Sequence, residues 1–277
     1  MKSSNQNDMQ RGNQREMITS LSNVQVKNVM LLQKKAKERK KQQLFVVEGM
    51  KMVMEAPRHA LESVFVSQSF YERAYKELPS DVPVVVVSDK IFISMSDTVT
   101  PQGIMALVRQ PCFDRENILR GRKREGAGCF LILENISDPG NLGTILRTGE
   151  GAGISGIFMS TDTVDIYNPK VIRSTMGSIY RVPFLYVENL RELAKEMKDR
   201  GITIYAAHLK GDRSCYEADY SKDSCFLVGN ESHGLSEEMA EMADIKMKIP
   251  MEGQVESLNA AIAATVCMYE AYRQNTK

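Results

Sequence analysis

The chain has 277 residues, with 36 Lys and Arg against 35 Asp and Glu, a net charge of +1, and 43% hydrophobic residues. That balance excludes a wholly disordered chain and a uniformly basic nucleic-acid coat protein, and the length suits two domains of average size. No apolar run approaches the roughly 18 residues of a membrane span, and the polar start of the chain, MKSSNQNDMQRGNQRE, lacks the apolar core of a signal peptide, so neither is expected.

Residues 1–17 read as a flexible tail rich in Asn, Gln and Ser. From there Val26, Val29, Met30 and Leu32 recur at helical spacing and lead into a basic stretch: Lys34, Lys35, Lys37, Arg39, Lys40 and Lys41, against the single acid Glu38. Strand-like apolar runs follow at 44–47, 64–67, 84–88 and 104–108, with helical segments near 49–57 and 69–78. Together, 18–109 predict a small α/β domain. Residues 110–128, with Pro111, Gly121, Gly126 and Gly128 and the basic residues Arg120, Arg122, Lys123 and Arg124, read as a linker.

Residues 129–277 alternate again. Strands are expected at 129–134, 156–160, 182–187, 202–207, 225–229 and 245–249, and helices at 141–151, 169–177, 189–200, 236–243 and 257–274. This order predicts a mostly parallel sheet with helices on both faces, and ligands in such sheets bind where strands run into loops. The five cysteines (Cys112, Cys129, Cys215, Cys225, Cys267) are scattered without a CxxC pair, as expected of reduced thiols. The three histidines form no ligand-like pair, so no metal site is expected.

Gly151-Ala-Gly153-Ile-Ser-Gly156 imitates a dinucleotide fingerprint, but a helix precedes it and a strand follows, the reverse of what that site needs. A helix C-cap accounts for it better. Three other segments carry more. In Asn135-Ile-Ser-Asp138-Pro-Gly-Asn141-Leu-Gly143-Thr-Ile-Leu-Arg147, a strand runs through a polar loop into a helix. Asn141 there is either an N-cap or a site residue, and Arg147, beside Ile145 and Leu146 on a mostly covered helix, should be paired or aimed into a cleft. In Gly229-Asn230-Glu231-Ser232-His233-Gly234-Leu235, Glu231 is a loop-closing hydrogen bonder or a site carboxylate, and His233 a bystander or a base. In Ile249-Pro250-Met251-Glu-Gly253-Gln-Val-Glu256-Ser257-Leu258-Asn259, Ser257 is a candidate N-cap, and the Ala-rich run after it allows close helix packing. With Ala206-Ala207-His208, the strand ends offer small residues, backbone amides and apolar walls. That lining suits an adenosine-bearing ligand better than a triphosphate, and no GxxxxGK[ST] loop occurs.

Taken in order, the three segments resemble the signature motifs of the SpoU/TrmH family of RNA ribose 2′-O-methyltransferases, and Lys170 to Pro183 resembles the family's middle segment. Residues 18–109, especially Phe45-Val-Val-Glu48-Gly49, resemble its N-terminal substrate-binding module, a small ribosomal-protein-like α/β fold. The resemblance implies a C-terminal trefoil knot, a homodimer through that domain, S-adenosylmethionine as cofactor and RNA as partner, in the cytoplasm. By the same resemblance, Ala206, Ala207, Gly229, Asn230, Gly234, Ile249, Met251 and Leu258 are expected at the cofactor, and Asn141, Arg147, Glu231, Ser257 and Asn259 form the catalytic set. Arg147, proposed as a base in the family, would more naturally meet an RNA phosphate and the developing alkoxide, because a guanidinium stays protonated. Asn141 and Asn259 would orient the ribose and Arg147, while Glu231 would fix its loop and could accept a proton through water. The basic residues Lys34, Lys35, Lys37, Arg39 and Lys40 are expected to contact RNA. Large-subunit ribosomal RNA is the leading substrate. The alternatives are tRNA, or a non-catalytic ribosome-assembly factor, against which the intact Asn141, Arg147, Glu231 and Asn259 argue.

Overall fold

A computed structural model describes residues 17–121, 126–208 and 211–276. The tail up to residue 16 and the basic Arg122, Lys123 and Arg124 lie outside the described residues. The chain divides into two compact units, with the boundary between Gln110 and Pro111. No described helix is long and apolar enough to cross a membrane.

The N-terminal unit contains α1 (Val24–Lys34), α2 (Ala36–Gln42), β1 (Leu44–Glu48), α3 (Met50–Glu55), β2 (Leu61–Ser67), α4 (Gln68–Ala74), β3 (Val84–Val87), α5 (Asp89–Met95) and β4 (Ile104–Arg109). Its four strands are the expected ones. They stand in the order β1-β4-β2-β3, antiparallel on both sides of β4 and parallel between β2 and β3. Val26, Val29 and Leu32 bury one stripe of α1 in a core with Phe65, Phe92 and Met105. The helix α5 was not anticipated from the pattern; Ser88 caps it by accepting from the Ile91 N–H, and Ile91, Phe92 and Met95 are its buried face.

The basic stretch needs one correction. Lys34, Lys35, Lys37, Lys40 and Lys41 are exposed, but Arg39 is only 4% exposed. Its guanidinium donates to the carbonyls of Leu32 at 2.6 Å and Gln33 at 3.0 Å. Those carbonyls belong to the last turn of α1, which has no intrahelical donors for them. Arg39 is therefore a structural clasp between α1 and α2, with its charge withdrawn from any surface ligand.

The C-terminal unit contains α6 (Arg115–Leu119), β5 (Cys129–Leu133), α7 (Pro139–Ala152), β6 (Gly156–Ser160), α8 (Pro169–Thr175), β7 (Phe184–Val187), α9 (Leu190–Asp199), β8 (Thr203–Ala207), β9 (Arg213–Ser214), β10 (Ser224–Val228), α10 (Glu237–Glu241), β11 (Ile245–Lys248) and α11 (Ala260–Asn275). The presumed linker is partly structural: Ile118 and Leu119 of α6 are buried in the core of this unit with Phe130, Phe158 and Leu193. The glycines and charges around α6 masked its short apolar face. Gly153, in the left-handed region at φ 73°, ends α7 as the C-cap reading required.

All pairings in the seven-stranded sheet, ordered β7-β6-β5-β10-β8-β11-β9, are parallel. From β5 the chain builds outward through β6 and β7, then crosses to the other side of β5 to lay down β8, β10 and β11. The reversal of direction lies between β5 and β10, where such sheets open a crevice at the carboxyl ends of their strands. The loops after β5, β10, β8 and β11 therefore share one edge.

Candidate active site

The loop after β5 is shaped by Asn135, a non-glycine residue in the left-handed region at φ 58°. Its side-chain oxygen accepts from Ser160 Oγ at 2.7 Å, and its carbonyl accepts from Asn230 Nδ2 at 2.7 Å. Asp138, rather than Asn141, caps α7, accepting from the Asn141 N–H at 2.8 Å, with Pro139 at the first helical position. The cap lies three residues earlier than the sequence suggested, which frees the Asn141 side chain for another role. Gly143 lets α7 approach α8: a Cβ there would come within 2.3 Å of Ser174 Cβ and 2.7 Å of the Val171 carbonyl oxygen.

The loop after β10 folds back on itself through paired backbone hydrogen bonds between Asn230 and Gly234 at 3.0 and 2.9 Å. Only glycine fits at 229, because a Cβ would sit 2.1 Å from the Gly234 carbonyl carbon. Asn230 Oδ1 accepts from the backbone N–H of Ser232 at 2.9 Å and of His233 at 3.2 Å.

Glu231 joins these loops. One oxygen accepts from the Ser137 N–H at 3.0 Å and Ser137 Oγ at 2.8 Å; the other accepts from the Asp138 N–H at 3.0 Å and Asn141 Nδ2 at 2.9 Å. Asn141, 9% exposed, passes the chain onward: its Oδ1 accepts from Asn259 Nδ2 at 2.9 Å. Asn259 Oδ1 then accepts from the Ala261 and Ile262 N–H groups at 2.9 and 3.3 Å, capping α11. The direction of this relay follows from its ends. The carboxylate can only accept, so Asn141 must turn its NH2 toward it; the helix N–H groups can only donate, so Asn259 must turn its oxygen toward them. Three segments some 90 and 118 residues apart in sequence thus become one hydrogen-bonded unit.

Burial alone would raise the Glu231 carboxyl, but the hydrogen bonds from Asn141 and the backbone of Ser137 and Asp138 outweigh it and hold the group down to about 2. Both its oxygens already accept two hydrogen bonds each, so the geometry favours the loop-fixing role expected of Glu231 over that of a proton acceptor.

Next to the relay is a cavity of about 670 Å³ at the ends of β8, β10 and β11. Of the residues expected at a cofactor, Ala207, Gly229, Asn230, Gly234, Ile249, Met251 and Leu258 line it, together with Glu231, Ser257, His208 and His233. Ala206 does not. Strand alternation turns it into the hydrophobic core, where it is fully buried. Ser257 borders the cavity but does not cap α11, because that helix begins three residues later, at Ala260, and Asn259 makes the cap bonds.

Arg147 neither lines this cavity nor hydrogen-bonds to the relay. It is exposed on α7, while its neighbours Ile145 and Leu146 are buried, and it makes no hydrogen bond or ion pair with a described residue. It is therefore not paired with a described residue: on an amphipathic helix one residue in this stretch faces out, and Arg147 is that residue. The close packing expected of α11 is against α7, where Thr265 Oγ1 lies 3.1 Å from Thr148 Oγ1. The loop-closing role expected of Glu231 is what the structure shows, while its partners Ser137 and Asp138 and the Asp138 cap carry no signal in the sequence.

Residues 128–269 match the model of the SpoU rRNA Methylase family, and residues 23–106 match an MRM3-like substrate binding domain. The chain is 32% identical to the 23S rRNA (guanosine(2553)-2'-O)-methyltransferase RlmP of Bacillus subtilis, over 92% of this chain and 98% of that protein. Among solved structures, it resembles an AdoMet-bound rRNA methyltransferase from Sinorhizobium meliloti with a TM-score of 0.82 and 29% identity, covering 95% of this chain and 99% of that one. It also resembles the SpoU methyltransferase AviRb from Streptomyces viridochromogenes in complex with AdoMet, with a TM-score of 0.80, 25% identity and coverage of 91% and 98%.

Proposed function

Since the chain belongs to the SpoU rRNA Methylase family, we propose that it transfers a methyl group from S-adenosylmethionine to a ribose 2′-oxygen of large-subunit ribosomal RNA. The observation that carries this reading is the Glu231–Asn141–Asn259 relay, which joins the three motif loops beside the cavity. The name of the B. subtilis relative supports the ribosomal substrate.

The cavity suits the cofactor. Its volume is within the roughly 300–1,000 Å³ of small-molecule sites, and its lining includes Ala207, Val228, Gly229, Gly234, Leu235, Ile249 and Leu258, small and aliphatic residues. When bound, S-adenosylmethionine supplies an activated methyl group, so the protein's task is positioning, charge stabilisation and removal of one proton. Gly229, Asn230, Gly234, Ile249, Met251 and Leu258 would hold it, with Ala207 at the strand end. Asn259 has a second Nδ2 proton beyond the one given to Asn141, available to a ribose oxygen. Ser257, at the cavity edge, offers a hydroxyl to the same substrate. Arg147, exposed and without a partner among the described residues, suits an RNA phosphate and the oxygen that gains negative charge.

We read the C-terminal unit as the knotted domain of the family; the tight pass of Gly211 against the β11 backbone, where a Cβ would lie 2.4 Å from the Met247 carbonyl carbon, supports that reading. The unit is proposed to dimerise through α11, whose Ile262, Tyr269 and Tyr272 leave 49%, 44% and 44% of their surface exposed. The protein is placed in the cytoplasm, with its substrate. The N-terminal unit is the RNA-binding module, and its exposed lysines neutralise phosphates. Changing Lys34, Lys35, Lys37 and Lys40 together to Gln should weaken RNA binding and flatten the log–log salt slope by up to about four. An unchanged slope in a filter-binding titration counts against this surface.

The function itself is tested by calorimetry with S-adenosylmethionine and by mapping ribose methylation in RNA from cells with and without the gene. A cofactor-binding chain whose loss removes one 2′-O-methyl from large-subunit rRNA is the expected result. No binding would favour the assembly-factor reading, and a lost tRNA mark would move the substrate.

A further inference from the structure

Methyl transfer must release the ribose hydroxyl proton, and the relay has no acceptor for it. The oxygens of Glu231 are occupied by donors, and a guanidinium such as that of Arg147 offers only donors. The other titratable groups lining the cavity among the described residues are His233 in the same loop as Glu231, His208 after β8, Lys248 at the end of β11, and Glu256 in the segment before α11.

Among these, the surroundings of His233 define a lone pair. Asn230 Nδ2 donates to the Asn135 carbonyl at 2.7 Å, which fixes which end of the Asn230 amide is oxygen. That oxygen accepts from the backbone N–H groups of Ser232 and His233. The His233 ring Nδ1 lies 3.2 Å from the same oxygen. An amide oxygen has only lone pairs to offer, so Nδ1 must carry the hydrogen, and the neutral ring then has its free lone pair on Nε2. The side chain is exposed at the cavity edge, two residues along the chain from the glutamate hub, where a substrate could reach it.

We propose that Nε2 of His233, oriented by Asn230, accepts the ribose 2′-hydroxyl proton, an inference that rests on the methyltransferase reading above. In the step, the 2′-oxygen forms its bond to the methyl carbon while the carbon–sulfur bond breaks, leaving its electron pair on sulfur. The oxygen–hydrogen bond breaks with its pair kept by oxygen, and the proton passes to Nε2. The positive charge of the sulfonium thus ends on the imidazolium, which returns its proton to solvent before the next turnover. The orienting role of Asn230 parallels that of the third member in nucleophile–base–orienter sets, with an amide oxygen in place of a carboxylate.

Two measurements test this. The first needs no cofactor: nitrogen-15 NMR of histidine-labelled protein at about pH 8 should show His233 with its hydrogen on Nδ1, and a ring protonated on Nε2 overturns the proposal. The second compares methyl transfer to RNA in two variants. His233→Gln should lower kcat about 100-fold or more, while calorimetry finds cofactor affinity preserved. His208→Gln should lower kcat far less. A His233→Gln enzyme with near-normal kcat, or a loss in His208→Gln as large as that in His233→Gln, overturns the assignment and leaves the methyltransferase reading standing. A wild-type chain that binds the cofactor but methylates no RNA overturns both.

Discussion

Replacing Glu231 with alanine is expected to destabilise the C-terminal unit by about 2–4 kcal/mol and to lower methyl transfer at least about 100-fold. The change strands the donors on Ser137, Asp138 and Asn141 in a half-buried site. It also releases the loop after β10 from the start of α7, so Asn141 no longer holds Asn259 in register. Thermal unfolding should begin roughly 4–16 °C lower for a unit of this size. An alanine variant with native melting and native turnover would refute the hub.

The same carboxylate gives a pH signature. Its folded value of about 2 lies below the ordinary 4.5, so folding favours the ionised form. The resulting stabilisation is full above about pH 4.5 and is lost as the pH falls from there toward 2. The Glu231→Gln variant has no charge to lose. The gap in stability between wild type and Glu231→Gln should therefore be widest near neutrality and close in acid, which equilibrium unfolding at several pH values measures. A gap that does not change with pH would mean the carboxyl has the same pKa folded and unfolded, so that the four hydrogen bonds do not favour its ionised form.

The Arg147→Ala variant is expected to keep its melting temperature and lose about 10²–10³ in kcat. The separation of the two readouts follows from the structure: the side chain is exposed and makes no bond with a described residue, so folding has nothing to lose. Arg147→Lys keeps the charge and discards the planar fork. Recovery of less than about a tenth of wild-type turnover is expected if the fork grips a phosphate in two places. Near-normal turnover of the lysine variant, measured under single-turnover conditions with saturating RNA, would reject that geometry.

The two sheets were largely legible in the sequence. Runs such as Phe130 to Leu133 and Cys225 to Val228 are buried on both faces of a parallel sheet, so they appear as continuous apolar stretches. Short helices were harder. The apolar faces of α5 and α6 span only two turns and sit among charges or glycines, too little for periodicity to separate from a loop. Caps were misplaced for a related reason. Asp138 and Asn141, or Ser257 and Asn259, are all capable caps, and only the turn at which the backbone becomes helical chooses between them.

Sequence by itself determined the chemistry available: a glycine-bracketed carboxylate, two asparagines, an arginine on a helix and small residues at strand ends, in three segments whose order resembles one family. It also determined that the positive charge is local, in a chain whose total is only +1. Tertiary structure decided how those groups are used. Arg39 and Arg147 are the same residue type in helical segments, yet one is drawn under the end of α1 by orphan carbonyls while the other is left to solvent. Glu231 and Asn259 are ordinary polar residues until parallel strands bring their loops to one edge, where Asn141 bonds to both. Hydrogen bonds act over about 3 Å, so partners separated by tens of residues along the chain are assigned only once the fold has brought them together.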